Sequence, residues 1–143
     1  MISGEIVRLA KQNVVRGPSE YVTEMNLIEN VGIEGNAFQG GDKQVCIFST
    51  EARVWMAEQT VRGLCFKQFT ENILIGAMQP DILKIGDVLF INGAHLMISG
   101  KKRCFDECEL YSNNIPCLLS ANAFFATVKK GGVIKVRDKV VLI

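Results

Sequence analysis

At 143 residues with 48% hydrophobic side chains, the chain is long enough for one domain with a real core and too short for two. Sixteen basic against fifteen acidic side chains leave a net charge of +1. That excludes a broad field for nucleic acid or an anionic membrane, so any anionic partner must be small and held locally.

The opening MISGEIVRLAKQ alternates apolar and charged residues without an apolar stretch of signal-peptide length, and nowhere do eighteen apolar residues run together. A cytoplasmic location is the expectation. Gly4 to Leu9 and Tyr21 to Ile28 alternate with period two and are predicted strands, parted by the turn cluster Arg16-Gly17-Pro18-Ser19. Gly32-Ile33-Glu34-Gly35-Asn36 and Gly40-Gly41-Asp42-Lys43 follow as a loop. Its glycines permit positive φ and let backbone N–H groups approach a ligand or another segment. Gln44 to Ser49 is a predicted buried strand.

Ser49 or Thr50 offers a capping oxygen to a helix that begins at Glu51, runs through Ala52, Val54, Trp55, Ala57 and Val61, and is stopped by Gly63. Phe69 to Leu74, Lys84 to Ile91 and Ala94 to Ser99 are predicted strands, the last two joined by the tight Asn92-Gly93 turn. Cys104 to Tyr111 is open between a short helix and a loop, and Cys117 to Val128 is ambiguous. Val133 to Ile143 reads as a strand pair with a turn near Arg137-Asp138. With no repeat, low-complexity tract or linker, the predicted architecture is a mainly β, barrel-like single domain over residues 1–143 with one or two helices.

Chemistry-bearing side chains concentrate in KKRCFDECELY, Lys101 to Tyr111. The five cysteines (Cys46, Cys65, Cys104, Cys108, Cys117) form an odd set without an export signal, which favours reduced thiols over a disulfide framework. On a helix, Cys104 and Cys108 would stand one turn apart, about 5–6 Å between Cβ atoms. That face is either functional or buried packing, since a free cysteine behaves as a small hydrophobe. Lys101, Lys102 and Arg103 favour the thiolate of Cys104, whereas Glu107 and Glu109 oppose ionisation of Cys108. Zinc would need Cys104, Cys108 and Cys117 with His95, but only one close ligand pair exists among them. A single histidine without a Gly-x-Ser-x-Gly turn leaves a catalytic triad unsupported, and no Walker or dinucleotide fingerprint appears.

Read in order, several short elements resemble a MOSC domain, named for the C-terminal domain of molybdenum cofactor sulfurase. They are Gly32-Ile33-Glu34-Gly35-Asn36-Ala37, Lys43-Gln44-Val45, Phe69-Thr70-Glu71-Asn72-Ile73, Leu83-x-Ile85-Gly86-Asp87, the pair Cys104 and Cys108, and Val128-x-Lys130-Gly131-Gly132. The resemblance implies a β-barrel-like fold and a cysteine that carries sulfur or ligates the molybdenum of the pterin cofactor (molybdopterin). Soft sulfur donors suit that metal, and a thiolate also accepts sulfur as a persulfide from a cysteine desulfurase. Similar short proteins carry Gly-Lys-x-Cys-His-x-x-Cys, on which Cys108 takes the sulfur-bearing or molybdenum-ligating place, with Cys104 and Cys117 as accessory thiols. The resemblance therefore favours Cys108 and the flanking charges favour Cys104; both are kept.

On this reading Lys43, Gln44, Glu71, Asn72, Lys101 and Arg103 are the expected cofactor-binding residues. The cations hold the anionic part, and Glu71 and Asn72 shape the pocket or satisfy the barrel rim. A cysteine desulfurase or a molybdenum enzyme is the implied partner, with no nucleic acid, no membrane and no pyridoxal phosphate of the chain's own. The sequence also departs from the family pattern. Asn36 and Phe38 replace an expected Asp and His, Lys43 an Arg, and Phe105 a His; Ser120-Ala121-Asn122-Ala123 replaces Pro-Arg-Glu-Gly. Those changes remove a guanidinium fork and its carboxylate partner. The rival expectation is a non-catalytic binding or regulatory domain in which the cysteines are packed and the Gly40-Gly41-Asp42-Lys43 loop meets a protein partner.

Overall fold

Alternation of apolar and polar residues is longest in the first strand, β1 (Ile2–Lys11), and a bulge between Ile6 and Arg8 shifts its phase. Ile6 and Leu9 both become fully buried and Arg8 is left at the surface. The computed structural model to which this strand belongs describes residues 2–15, 17–59, 69–78, 82–102, 114 and 117–142.

The strands that follow are β2 (Glu20–Val22), β3 (Glu24–Ile28), β4 (Gly32–Ile33), β5 (Val45–Ser49), β6 (Ile73–Gly76), β7 (Val88–Ile91), β8 (Ala94–Lys101), β9 (Phe124–Lys130), β10 (Gly132–Lys135) and β11 (Lys139–Leu142). Seven of them close a barrel in the order β1-β6-β5-β9-β8-β7-β11, with β11 returning to β1, and β2 is added on the other side of β1. Closure removes the sheet edges that would otherwise expose unpaired N–H and C=O groups. Every barrel neighbour is antiparallel except β5 and β6, and a parallel pair needs a crossover, which here begins with helix α1 (Thr50–Glu58). Strands β10, β3 and β4 form a small separate sheet.

Inward side chains such as Ile47, Ile73, Ile75, Leu89, Leu96 and Ile98 are fully buried and fill the barrel as a packed core. A second apolar cluster lies outside the barrel wall. Phe48 of β5 and Leu74 of β6 are covered there by Ala52 and Met56 of α1 and by Leu119 of a short helix, α2 (Leu118–Asn122), with Ala123 just beyond it. Ser49 caps α1, its Oγ accepting the Ala52 N–H at 3.2 Å, and it donates to Oδ1 of buried Asn122 at 3.4 Å. One hydroxyl thus ties the two helices to the strand. Ser49→Ala should cost about 1–2 kcal/mol in urea unfolding, because the cap and a partner of a buried amide go together.

The structure redraws several sequence expectations. Tyr21 to Ile28 is two strands, broken at Thr23, with β2 joining the barrel and β3 the small sheet. Val133 to Ile143 is not a pair: β10 goes to β3, while β11 goes to β1 and β7. The turn between them is as expected, with Arg137 at φ 80 and its N–H donating to Ile6 O at 2.7 Å, a bond to β1 that pulls the chain across. Lys84 to Ile91 becomes a strand only from Val88. Residues 84–87 form a turn in which the Asp87 carboxylate accepts the Lys84 N–H at 2.9 Å. The ambiguous Cys117 to Val128 stretch divides into α2 and the start of β9. Helix α1 ends at Glu58, and Val61 and Gly63 lie outside the described residues. Among the described residues no helix is long and apolar enough to cross a membrane.

Candidate functional site on the outer barrel face

Three strands bring one row of residues together. Gly100 of β8 stands opposite Phe125 of β9, and Phe125 stands opposite Cys46 of β5. Asn72, at the entry to β6, completes the row: its N–H donates to Cys46 O and its Oδ1 accepts the Cys46 N–H, both at 2.9 Å. Cross-strand partners share one side of a sheet. Val45, Ile47, Phe124 and Ala126 alternate with this row and fill the interior, so the row faces outward. Among the described residues a Cβ built on Gly100 would meet nothing within 4 Å, and Phe125 and Cys46 beside it are half-buried. The result is an outer-face seat lined by an aromatic and by a thiol whose sulfur is buried enough to shift its ionisation.

Cations flank it. The Lys43 ammonium lies 5.2 Å from the centre of the Phe125 ring. Lys102, whose N–H continues the ladder to Ala123 O at 2.9 Å, is close enough for its charge to act on Cys46. Lys101 goes elsewhere, because neighbouring residues of a strand point to opposite faces. It pairs with inward Phe124 and holds its ammonium 5.9 Å from that ring. Arg103, Cys104 and Cys108, which follow Lys102 in the chain, lie outside the described residues, as does Cys65.

Burial pushes the Cys46 thiol up to about 12, the Glu71 charge adds to that, and Lys102 and Arg53 pull it partly back. Glu71 itself is nearly sealed, its side chain 3% exposed. Burial opposes its ionisation, but the hydrogen bond and charge of Arg53, followed by those of Arg8, outweigh burial and hold the carboxyl below the usual carboxylate range. Arg8 donates to Glu71 Oε1 at 2.8 Å and stacks on Tyr21. Arg53 of α1 pairs with Glu71 Oε2, donates to Phe69 O at 3.2 Å, and lies 5.3 Å from the Phe48 and Phe69 ring centres. Glu71 therefore fastens α1 to β1 at the edge of the seat.

The other two anticipated polar side chains are engaged in the same internal way. Asn72 Nδ2 donates to Ala10 O at 3.1 Å and to Asn36 Oδ1 at 3.5 Å. Gln44 is buried, with Nε2 donating to Gly41 O at 2.9 Å and to Asn30 O at 3.3 Å, and Oε1 accepting the Val128 N–H at 3.0 Å. Asn36 Oδ1 also accepts the Gln12 N–H at 2.9 Å, while its Nδ2 is buried without a hydrogen-bond partner among the described residues. A carboxylate at that position, as in the family pattern, would carry no such donor.

Sequence reasoning missed Cys46, Arg8 and Arg53. Their only signal was the period of β5, which puts Cys46 and Phe48 on one side of the strand; nothing local marks either arginine as a partner of Glu71. His95 packs edge-on against Phe90 at 4.5 Å, and the described residues contain no group of three or more metal-ligating side chains.

Comparison with known proteins adds the fold. No protein-family model and no curated protein matches the sequence. Among solved structures, the YUAD protein from Bacillus subtilis matches with a TM-score of 0.69 and 16% identity over 97% of this chain and 94% of that one. YiiM from Geobacillus stearothermophilus matches at 0.64 and 19% identity over 98% of this chain and 75% of its own, and YiiM from Escherichia coli at 0.64 and 16% over 98% and 69%. These likenesses establish a shared fold. The architecture fits the MOSC-like barrel that the sequence resemblance implies, and function has to be argued from the site.

Proposed function

We propose that the chain is a MOSC-like protein that binds molybdenum cofactor or carries sulfur for metal–sulfur assembly through the thiol of Cys108, helped by Cys104. Lys43 and Lys102 are its anion-holding cations and Arg103 joins them, whereas Lys101, paired with inward Phe124, is not among them. The observation that supports this reading most is the outward row of Phe125 and Cys46, with the Lys43 ammonium over the Phe125 ring and the Lys102 charge acting on Cys46. In the sequence, the segment that carries Cys104 and Cys108 follows Lys102.

The described residues fit one part of the cofactor and not another. Lys43 and Lys102 suit the oxygens of a phosphate. Cys46 does not suit the metal: with its thiol pushed up to about 12 it offers almost no thiolate at neutral pH. Soft-sulfur ligation, or the attack on a donor's persulfide, therefore falls to Cys108 or Cys104. In that transfer the thiolate attacks the terminal sulfur of the desulfurase persulfide, a new S–S bond forms as the old one breaks, and the donor cysteine leaves as its thiolate. Gln44, Glu71 and Asn72 shape the seat from behind in this reading.

A second reading, a binding or regulatory domain that has lost cofactor binding, is favoured by the internal engagement of those same three side chains. One experiment separates the two. Incubation with a cysteine desulfurase, cysteine and pyridoxal phosphate should add one sulfur atom to the intact mass, mapped to Cys108 and absent in Cys108→Ser. Molybdenum should co-purify from a cofactor-making host and be lost in the same variant. Neither persulfide nor molybdenum would leave the binding-domain reading in place.

A further inference from the structure

The 40–43 loop is anchored far more heavily than an exposed loop requires. Gly40 and Gly41 turn it through positive φ values of 71 and 69, and among the described residues a Cβ on either would meet nothing within 4 Å. Gly40 N–H donates to Val31 O at 2.7 Å. Gln44 engages both polar atoms of its amide in this neighbourhood, bonding Gly41 O and Asn30 O through Nε2 and the Val128 N–H of β9 through Oε1. The hydroxyl of Ser99 donates to Asp42 O. Ser99 is the residue at which the β8–β9 register slips, between Ile98 and Gly100. A bulge re-aims the side chain it carries. This one turns Ser99 to the loop while leaving Gly100 opposite Phe125.

We infer that Ser99 and Gln44 are positioning residues that act through Lys43, fixing its ammonium over the Phe125 seat so that an incoming phosphate or other small oxyanion meets a cation already in place. A lysine on an unanchored loop would have to be ordered on binding, at a cost in side-chain and backbone entropy. The inference rests on the proposed reading of Lys43 as an anion-holding residue.

Inorganic phosphate, titrated into the isotope-labelled full chain and followed at the Lys43 and Gly100 amides, tests it. Lys43→Ala should weaken binding about tenfold, the loss of one charge-assisted hydrogen bond. Ser99→Ala should weaken it about three- to fivefold with the melting temperature unchanged, and Ser99→Thr, which keeps the hydroxyl, should restore it. In a Lys43→Ala background, Ser99→Ala should have no further effect, because its contribution runs through the ammonium. An equal loss in both backgrounds, or no loss in the wild type, overturns the positioning role and leaves the anion seat standing. Unchanged binding in Lys43→Ala, or no phosphate uptake by the wild type, overturns the seat and the positioning role together.

Discussion

At pH 8 iodoacetamide should alkylate Cys46 about a thousandfold more slowly than an unperturbed thiol, since only the thiolate reacts and each unit of elevation removes nine-tenths of it. The thiol is raised from 9.0 to about 12, by burial first and by Glu71 second. Timed quenching with peptide mass mapping reads the rate, with urea-unfolded protein as the internal reference. Labelling of folded and unfolded Cys46 at the same rate would contradict the electrostatic account. Glu71→Gln separates the causes: it should speed labelling while leaving Cys46 slow, because burial stays. The same elevation gives a sign for stability. A group whose folded pKa lies above its unfolded one contributes fully below 9.0, and that contribution is lost as pH rises towards about 12. Cys46→Ala should therefore flatten the alkaline loss of stability. Against this slow thiol, fast labelling of Cys108 or Cys104 is what a sulfur carrier requires, and equally slow labelling of all five is what a packed binding domain requires.

Local chemistry was legible where a residue acts on its near neighbours. Asn92-Gly93 makes the predicted hairpin, with φ values of 45 and 85, and Ser49 caps its helix. The period of two marked β1, an apolar run marked β5 and the Asn92-Gly93 hairpin marked β8, and with them the mainly β class. Long-range pairing was not legible. Nothing within Val133 to Ile143 says that its first half pairs with β3 and its second with β1 and β7, because that choice is made by backbone bonds such as Arg137 N–H to Ile6 O. The site divides in the same way. Lys43 was visible as a cation beside glycines, but its ring partner Phe125 is far along the chain. Lys101 was the expected cation, but the β8–β9 register pairs it with inward Phe124, and it is the charge of Lys102 that acts on Cys46. Glu71 was visible in its motif; its partners were not, for Arg8 reaches it from a bulge in β1 and Arg53 from helix α1.

Glu71→Ala should destabilise the protein by about 2–4 kcal/mol at pH 7, because one nearly sealed carboxylate answers two part-buried guanidiniums and its removal leaves both without a counter-charge. The lower end reflects solvent, since the side chains of Arg8 and Arg53 are 38% and 28% exposed and water recovers part of the loss. The two arginines should not be equal. Arg8→Ala removes a partly exposed pair, whereas Arg53→Ala also frees Phe69 O and opens the space between the Phe48 and Phe69 rings, so it should cost more. The pH dependence fixes the mechanism. Glu71 is held below its ordinary 4.5, so its contribution is present above that value and lost as pH falls through the lower folded value. Urea unfolding followed by Trp55 fluorescence should show wild type and Glu71→Gln differing at pH 7 and converging in acid. Parallel curves would mean that packing, not charge, holds this edge. Because Asn72 follows Glu71 directly and carries the Cys46 N–H, the same variant should also loosen the floor of the seat, seen as faster exchange at that amide.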